Sequence, residues 1–215
     1  MSPGHPLPAA RTMPIRHRLF RFCSALLLAF ALGGCTSTTV VQYHAGDSRP
    51  VCQEDGTASP VLILWGAAWR KDQHHRAERE AAAERGIRQY FARRDCFPHA
   101  YIAGQAMGRS PLTLSDIDMI RWARGQATPF NMLIQVRVEE LDVRTQVQPS
   151  LVLWESDSLV QLRVRVLDMA SMRLHMDRTV HWKNGGGYAV RNTSTLSDDL
   201  SSALGAVFTQ QFSRY

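Results

Sequence analysis

Residues 130–141, FNMLIQVRVEEL, set Phe130, Met132, Ile134, Val136 and Val138 against Asn131, Leu133, Gln135, Arg137 and Glu139. A period of two puts one set on a core face and the other on a mostly polar face, which predicts a strand. Toward the C-terminus, Val160, Leu162, Val164 and Val166 alternate in the same way with Gln161, Arg163 and Arg165. After a tight turn near Ala170-Ser171, Leu174, Met176, Val180 and Trp182 alternate with His175, Asp177, Thr179 and His181. Segments of this kind joined by short connections predict an antiparallel meander.

Toward the N-terminus, residues 61–65, VLILW, form a continuous apolar run between Pro60 and Gly66. Such a run suits a central strand buried on both faces. Residues 72–94 predict a helix, with Ala77, Ala81, Ile87, Tyr90 and Phe91 as its apolar stripe and His74, Arg79, Glu80 and Arg88 on the wet face. Residues 97–104 read as a second strand. Ser115 is a credible N-cap for a short helix through Ile117, Ile120, Trp122 and Ala123, stopped by Gly125. Beyond the meander, Gly185-Gly186-Gly187 reads as a mobile loop. Thr195 and Asp198 then resemble a capping box for an amphipathic helix carrying Leu196, Leu200, Ala203, Leu204, Val207 and Phe208. The order β-α-β-α-β-β-β-α places the chain in the α/β class, a mixed sheet with helices packed on it, as one domain over residues 61–215.

The address is written upstream. Residues 22–32, FCSALLLAFAL, are too short to span a bilayer and follow Arg16, Arg18 and Arg21, with no acidic residue in the first 34 positions. Leu32-Gly33-Gly34-Cys35 closes this run and resembles a bacterial lipobox, which implies that residues 1–34 are a lipoprotein signal peptide and that Cys35 carries the lipid. Met13 offers a more compact start than Met1. Thr36, not aspartate, follows the cysteine, and the sorting rule implied by the resemblance favours the outer membrane, with the domain facing the periplasm. Residues 35–60 mix Ser, Thr, Gly, Asp and Pro and read as the lipidated cysteine and a flexible tether.

Processing changes the charge argument. The whole chain of 215 residues carries +6, but four of its 25 Lys and Arg and none of its 19 Asp and Glu lie in residues 1–34. The mature chain is left near neutral, and no nucleic-acid partner is expected. Cys23 leaves with the signal peptide, so the mature chain keeps Cys52 and Cys96 besides the anchor. Each sits a few residues before a predicted strand; if those strands are parallel neighbours joined by a helix, both begin at one end of the sheet, and a Cys52–Cys96 disulfide is expected.

On this element order, and on two local matches, the chain resembles the periplasmic lipoprotein domains related to the curli-secretion protein CsgG, the amino-terminal domain of TolB and the LpoB-type activators of penicillin-binding proteins. Residues 130–141 sit where that group has a strand after a helix-loop segment. Residues 164–174, VRVLDMASMRL, are similar to its strand-Asp-turn-strand hairpin, with Ser171-Met172 where the turn usually carries Thr-Gly. The resemblance implies fold and compartment; function has to come from sites.

Chemistry-bearing patterns are sparse. No G-x-S-x-G occurs, and the cysteines have structural explanations. His74 and His75 are adjacent, about 100° apart on a helix, whereas ligands on one face need i, i+4 spacing, so no metal and no cofactor is expected. The glycine run lies too far from Thr195 to form an anion cradle. Trp65 and Trp69 flank the end of the central strand, where open α/β sheets place ligands, and could form an aromatic contact patch. Arg137, Arg163 and Arg165 share the polar face of the meander, an expected protein-docking surface.

These readings combine into a non-enzymatic envelope lipoprotein, held to the membrane by lipid, whose domain binds and assists another envelope protein. The alternatives are an oligomeric outer-membrane secretion-channel component, with residues 143–154 as its candidate membrane strands, and a cell-wall-binding protein; homo-oligomerisation is left open. In protein purified from the periplasmic face of the membrane, iodoacetamide should label Cys52 and Cys96 only after reduction; labelling of both beforehand contradicts the bridge.

Overall fold

The computed structural model describes residues 36–46, 60–93, 97, 99–104, 108–148, 153–187 and 189–209. Cys35, Cys52 and Cys96 lie outside them. Six strands form one mixed sheet: β1 (Thr36–Gly46), β2 (Val61–Ala67), β3 (Ala100–Ala103), β4 (Met132–Gln148), β5 (Leu153–Asp168) and β6 (Arg173–Gly187). The order across the sheet is β1-β6-β5-β4-β2-β3. β2 runs parallel to both β3 and β4, while β4, β5, β6 and β1 are successively antiparallel. Three helices pack on the sheet: α1 (Arg76–Ala92), α2 (Asp116–Arg124) and α3 (Leu196–Thr209).

The α/β class and the meander agree with the sequence reading, and β2 is buried on both faces for the reason its composition suggests. Val61, Ile63 and Trp65 join the core under α1 and α3. Leu62 and Leu64 meet Met119, Ile120 and Ala123 of α2 on the opposite side. The helices therefore divide between two faces: α1 and α3 cover one, and α2 covers only the β2–β4 end of the other. Leu133, expected on a polar face, is fully buried beneath α2.

The first correction concerns the tether. Residues 36–46 are not a spacer but edge strand β1, paired from Thr36 opposite Gly185 to Gly46 opposite Met176. Thr36, Thr38, Thr39, Val40 and Val41 are β-branched, and Val41 packs against the core while Val40 is half exposed. An edge strand needs little more than this. The glycine run is the second correction: Gly185, Gly186 and Gly187 belong to β6, opposite Asp157, Ser156 and Glu155. A Cβ on Gly185 would lie 2.2 Å from the Ser156 carbonyl oxygen, so only glycine lets the two strands approach here.

Helix α1 corrects a third reading. Its buried positions are Arg79, Ala82, Ala83, Gly86, Ile87, Tyr90 and Phe91, a two-wide stripe at helical spacing, while Ala77 and Ala81 face solvent. Arg79 can be buried because each of its three guanidinium nitrogens has an acceptor. Its Nε donates to the His74 carbonyl (2.6 Å), and its two terminal nitrogens donate to the Leu141 carbonyl (2.5 Å) and to Asp142 (2.7 Å). These bonds tie the start of α1 to β4 just past the bulge at Glu139. At the other end of α1, Tyr90, Phe91, Phe97 and Phe208 form a cluster of rings 5.1–6.1 Å apart that joins it to α3.

Helix α3 is entered through a 3-10 turn, Thr193–Thr195, capped by Asn192 and not by Thr195. Asp199, 3% exposed, accepts from Ser158 Oγ on β5 (2.5 Å) and Asn184 Nδ2 on β6 (2.7 Å). At its C-terminal end the buried Arg178 donates to the Val207 carbonyl at 2.6 Å. A carboxylate in the first turn and a cation on a last-turn carbonyl both suit the helix dipole.

The β5–β6 turn is set by Asp168, which accepts from the Ser171 amide (2.6 Å) and hydroxyl (2.8 Å). Met172, at the position where the resembling hairpins carry glycine, is left-handed at φ 55° and 58% exposed. Met172→Gly should therefore raise stability by about 0.5–1 kcal/mol in urea unfolding, relief of that strain exceeding the entropy glycine costs. The Ser171 hydrogen bonds also hold the Asp168 carboxyl below its ordinary value of 3.8. Since the folded form is the more acidic, the stability lost in Asp168→Asn should be fully present at neutral pH and vanish as the pH falls below that of the folded carboxyl.

Candidate functional site

Beyond the part that α2 covers, one face of the sheet has no described helix over it. Cross-strand register lays it out in rows: Thr38–Lys183–Leu159, then Val40–His181–Gln161–Glu140, then Gln42–Thr179–Arg163–Arg137. A groove of about 260 Å³ runs among Thr38, Val40, Leu159, Gln161, His181 and Lys183. The next row, Asp177–Arg165–Gln135, is closed off by α2, where Asp116 meets Arg165.

The three arginines expected to form a docking surface do lie on this side of the sheet, but each is engaged within the chain. Arg163 donates twice to Asp177, at 2.7 and 2.6 Å. Arg165 donates twice to Asp116, both at 2.7 Å, and stands 3.6 Å from Asp177. Arg137 is 3.2 Å from Glu139, which also accepts from Gln161. The hydrogen bond to Asp177 raises Arg163 above its ordinary value, and that to Asp116 raises Arg165, so neither gives up its charge. Lys183 is likewise raised, first by its bond to Asp157 and then by Glu155, at 2.8 and 3.3 Å. The surface is thus an interlocked set of opposite charges and not a basic patch. A neutral zipper of this kind recognises a partner through shape and hydrogen bonding more than through field.

The aromatic patch is not formed. Trp65 is 9% exposed and sits in the core, with its indole against Gly104. Trp69 packs partly against the same core and donates to Glu80 at 3.1 Å. The ring at the end of this central strand serves packing, within the core that α1 and α3 cover. His75 precedes α1 in a left-handed conformation, its ring 71% exposed and 3.9 Å from Glu78. Among the described residues no group of three or more His, Cys, Asp or Glu gathers to hold a metal ion, and no helix is long and apolar enough to cross a membrane.

Residues 143–148 and 153–154, the candidate membrane strands, form the distal part of the β4–β5 hairpin. Val147 lies directly opposite Trp154, and the two are 69% and 41% exposed. The periodicity of the sequence did not single this pair out, because apolar residues near a turn carry no pattern of their own.

No known protein family and no curated protein matches the chain. Among solved structures it is similar to a PelC dodecamer from Paraburkholderia phytofirmans, at 16% identity and a TM-score of 0.44, covering 83% of this chain and 100% of that one. It is also similar to lipoprotein GNA1162 from Neisseria meningitidis, at 9% identity and 0.39, covering 69% and 97%. A third, XCC0632 from Xanthomonas campestris, described as DUF330, shares 12% identity at 0.40, covering 78% and 90%.

Asp177 is 6% exposed as a side chain, against 40% for Arg163, so the two ends of this pair are not equivalent. Arg163→Met should cost about 1–3 kcal/mol in chemical unfolding, because it leaves a buried carboxylate short of its donors. The double variant Arg163→Met with Asp177→Asn should recover at least half of that loss. Additive losses would contradict a coupled pair.

Proposed function

We propose that this protein is a lipid-anchored bacterial envelope protein, sorted to the outer membrane and facing the periplasm, which acts by contact with another envelope protein and not by catalysis. The observation that carries the reading is the lipobox-like Leu32-Gly33-Gly34-Cys35 behind an arginine-flanked apolar run, with edge strand β1 starting at the very next residue. A chain that begins its sheet one residue past the lipid has no reach of its own. The span of about 25–30 Å that a 25-residue tether would give is absent over residues 36–46. The partner therefore has to come to the membrane that holds the domain, or project across from the other one. The resemblance in element order to the CsgG, TolB amino-terminal and LpoB-type domains supports the same compartment.

Contact is favoured over chemistry because Arg137, Arg163, Arg165 and Lys183 of this face are each paired with a carboxylate, and because the buried Ser158–Asp199 pair spends its hydrogen bonds fastening α3 to the sheet. Charge reversal at Arg163 or Arg165 is a poor probe of docking here, since it would disrupt the Asp177 and Asp116 pairs first. Substitutions at Val40, half exposed on the edge strand, test the surface itself.

Labelled palmitate should enter the wild-type chain and not Cys35→Ala, and the labelled product should fractionate with the outer membrane. Crosslinking in the intact envelope should then capture another envelope protein through a photoreactive residue at Val40. An unlabelled, cytosolic product contradicts the reading.

A further inference from the structure

β1 begins at Thr36, opposite Gly185 of β6, which is opposite Asp157 of β5, itself opposite Arg144 of β4. β1 runs parallel to β5, so Thr36, its first residue, points its N-terminal side toward the end of the sheet where β4 finishes and β5 starts. From the row of Thr36 the hairpin continues from Arg144 to Gln148 on β4 and from Asp157 back to Leu153 on β5. Four residues at about 3.4 Å each carry its described part roughly 14 Å past the start of β1, in the direction from which the chain of the proposed lipid anchor enters the strand.

The projecting end is apolar where exposure is counterproductive for a water-facing hairpin. Val147 and Trp154 face each other across the strands and are 69% and 41% exposed; Val190, in the chain just after β6, is 79% exposed. Three of the seven large exposed apolar side chains of the described residues thus lie at this one end. The neighbouring carboxylates Glu155 and Asp157 are both bound by Lys183, which reduces their repulsion from anionic headgroups.

We infer that the β4–β5 hairpin end, through Trp154 and Val147, is a second contact with the phospholipid bilayer that holds Cys35, and that it fixes the domain with its strands standing on the membrane. The inference rests on the lipid-anchor reading and adds an orientation to it. Bilayer is the occupant that fits because the covalent anchor is one residue from the sheet and brings this end to the headgroups whatever else binds. An indole at the edge of a short apolar patch suits the interfacial layer. The described part of the hairpin reaches about 14 Å, enough for that layer and short of the roughly 30 Å of a bilayer core, and its alternate positions Arg144, Gln146 and Glu155 are polar, which suits contact with the leaflet surface.

The test uses the mature lipidated protein in vesicles of phosphatidylethanolamine and phosphatidylglycerol, with and without brominated acyl chains. Bromolipid should quench part of the wild-type tryptophan emission, and Trp154→Phe should remove at least half of that quenching. Val147→Asp, which keeps every tryptophan, should lower the quenching by at least half while the circular dichroism stays unchanged. Protein that floats with the vesicles but shows equal fractional quenching in wild type and Trp154→Phe overturns the hairpin contact alone. Shielding of Trp154 only at high protein density overturns it too, since a second copy and not the bilayer would then be its cover. Protein that does not float overturns the lipid anchor, and this inference with it.

Discussion

The register that sets Thr36 opposite Gly185 joins the two halves of this protein's physics. One strand of backbone pairing converts what composition presents as a spacer into the edge of the sheet, and it does so starting one residue after the cysteine that a lipobox would modify. With a lipid on Cys35, the distance between membrane and fold would follow from covalent geometry and not from chain statistics. That close start needs the glycine at 185, since a side chain there would collide with the Ser156 carbonyl and push β6 off β5. It also needs the end of the sheet to be held together, which Asp199 achieves by bonding β5 and β6 at once through Ser158 and Asn184. Edge, glycine and buried carboxylate lie at the same end of the molecule.

The rest of the fold is built around strands with two different obligations. β2 lies under helices on both sides and is apolar throughout. The long strands of the meander lie under α1 and α3 on one side, and on the other only the part near Leu133, Gln135 and Arg165 meets α2, so the outward residues beyond it are free to be polar and to pair with each other. Burying one carboxylate of that set, Asp177, between two arginines gives the uncovered side a rigid pattern of charge without a net field. Specific charge pairs of this kind contribute modestly to stability but fix which neighbour each strand accepts, because a slip of one residue would part them all.

What could be read from the sequence was what repeats at the period of its own element. The meander strands, the doubly buried β2 and helix α3 each carry that signal, and the class and element order follow from them. Three features escaped for identifiable reasons. Residues 36–46 have β-branched side chains, of which Val41 packs against the core, but threonines just after a run that reads as a signal peptide look like a linker. Arg79 falls on the buried stripe of α1, yet a cation reads as wet until its acceptors, the Leu141 carbonyl and Asp142, arrive from more than sixty residues away. The arginines of the meander read as a patch because Asp116, the partner of Arg165, is 49 positions distant and on a helix. Alternation locates a face; it does not reveal what that face has already bound.

The short distance from the proposed lipid to the fold depends on β1 being part of the folded sheet. Amide hydrogen exchange on the mature lipidated protein in vesicles measures this directly. Peptides covering residues 36–43 should exchange as slowly as those covering 178–185, with which they pair. Exchange of residues 36–43 at the rate of an unstructured chain, beside a protected 178–185, would restore the spacer, free the domain from its close hold on the membrane and contradict the pairing on which the orientation rests.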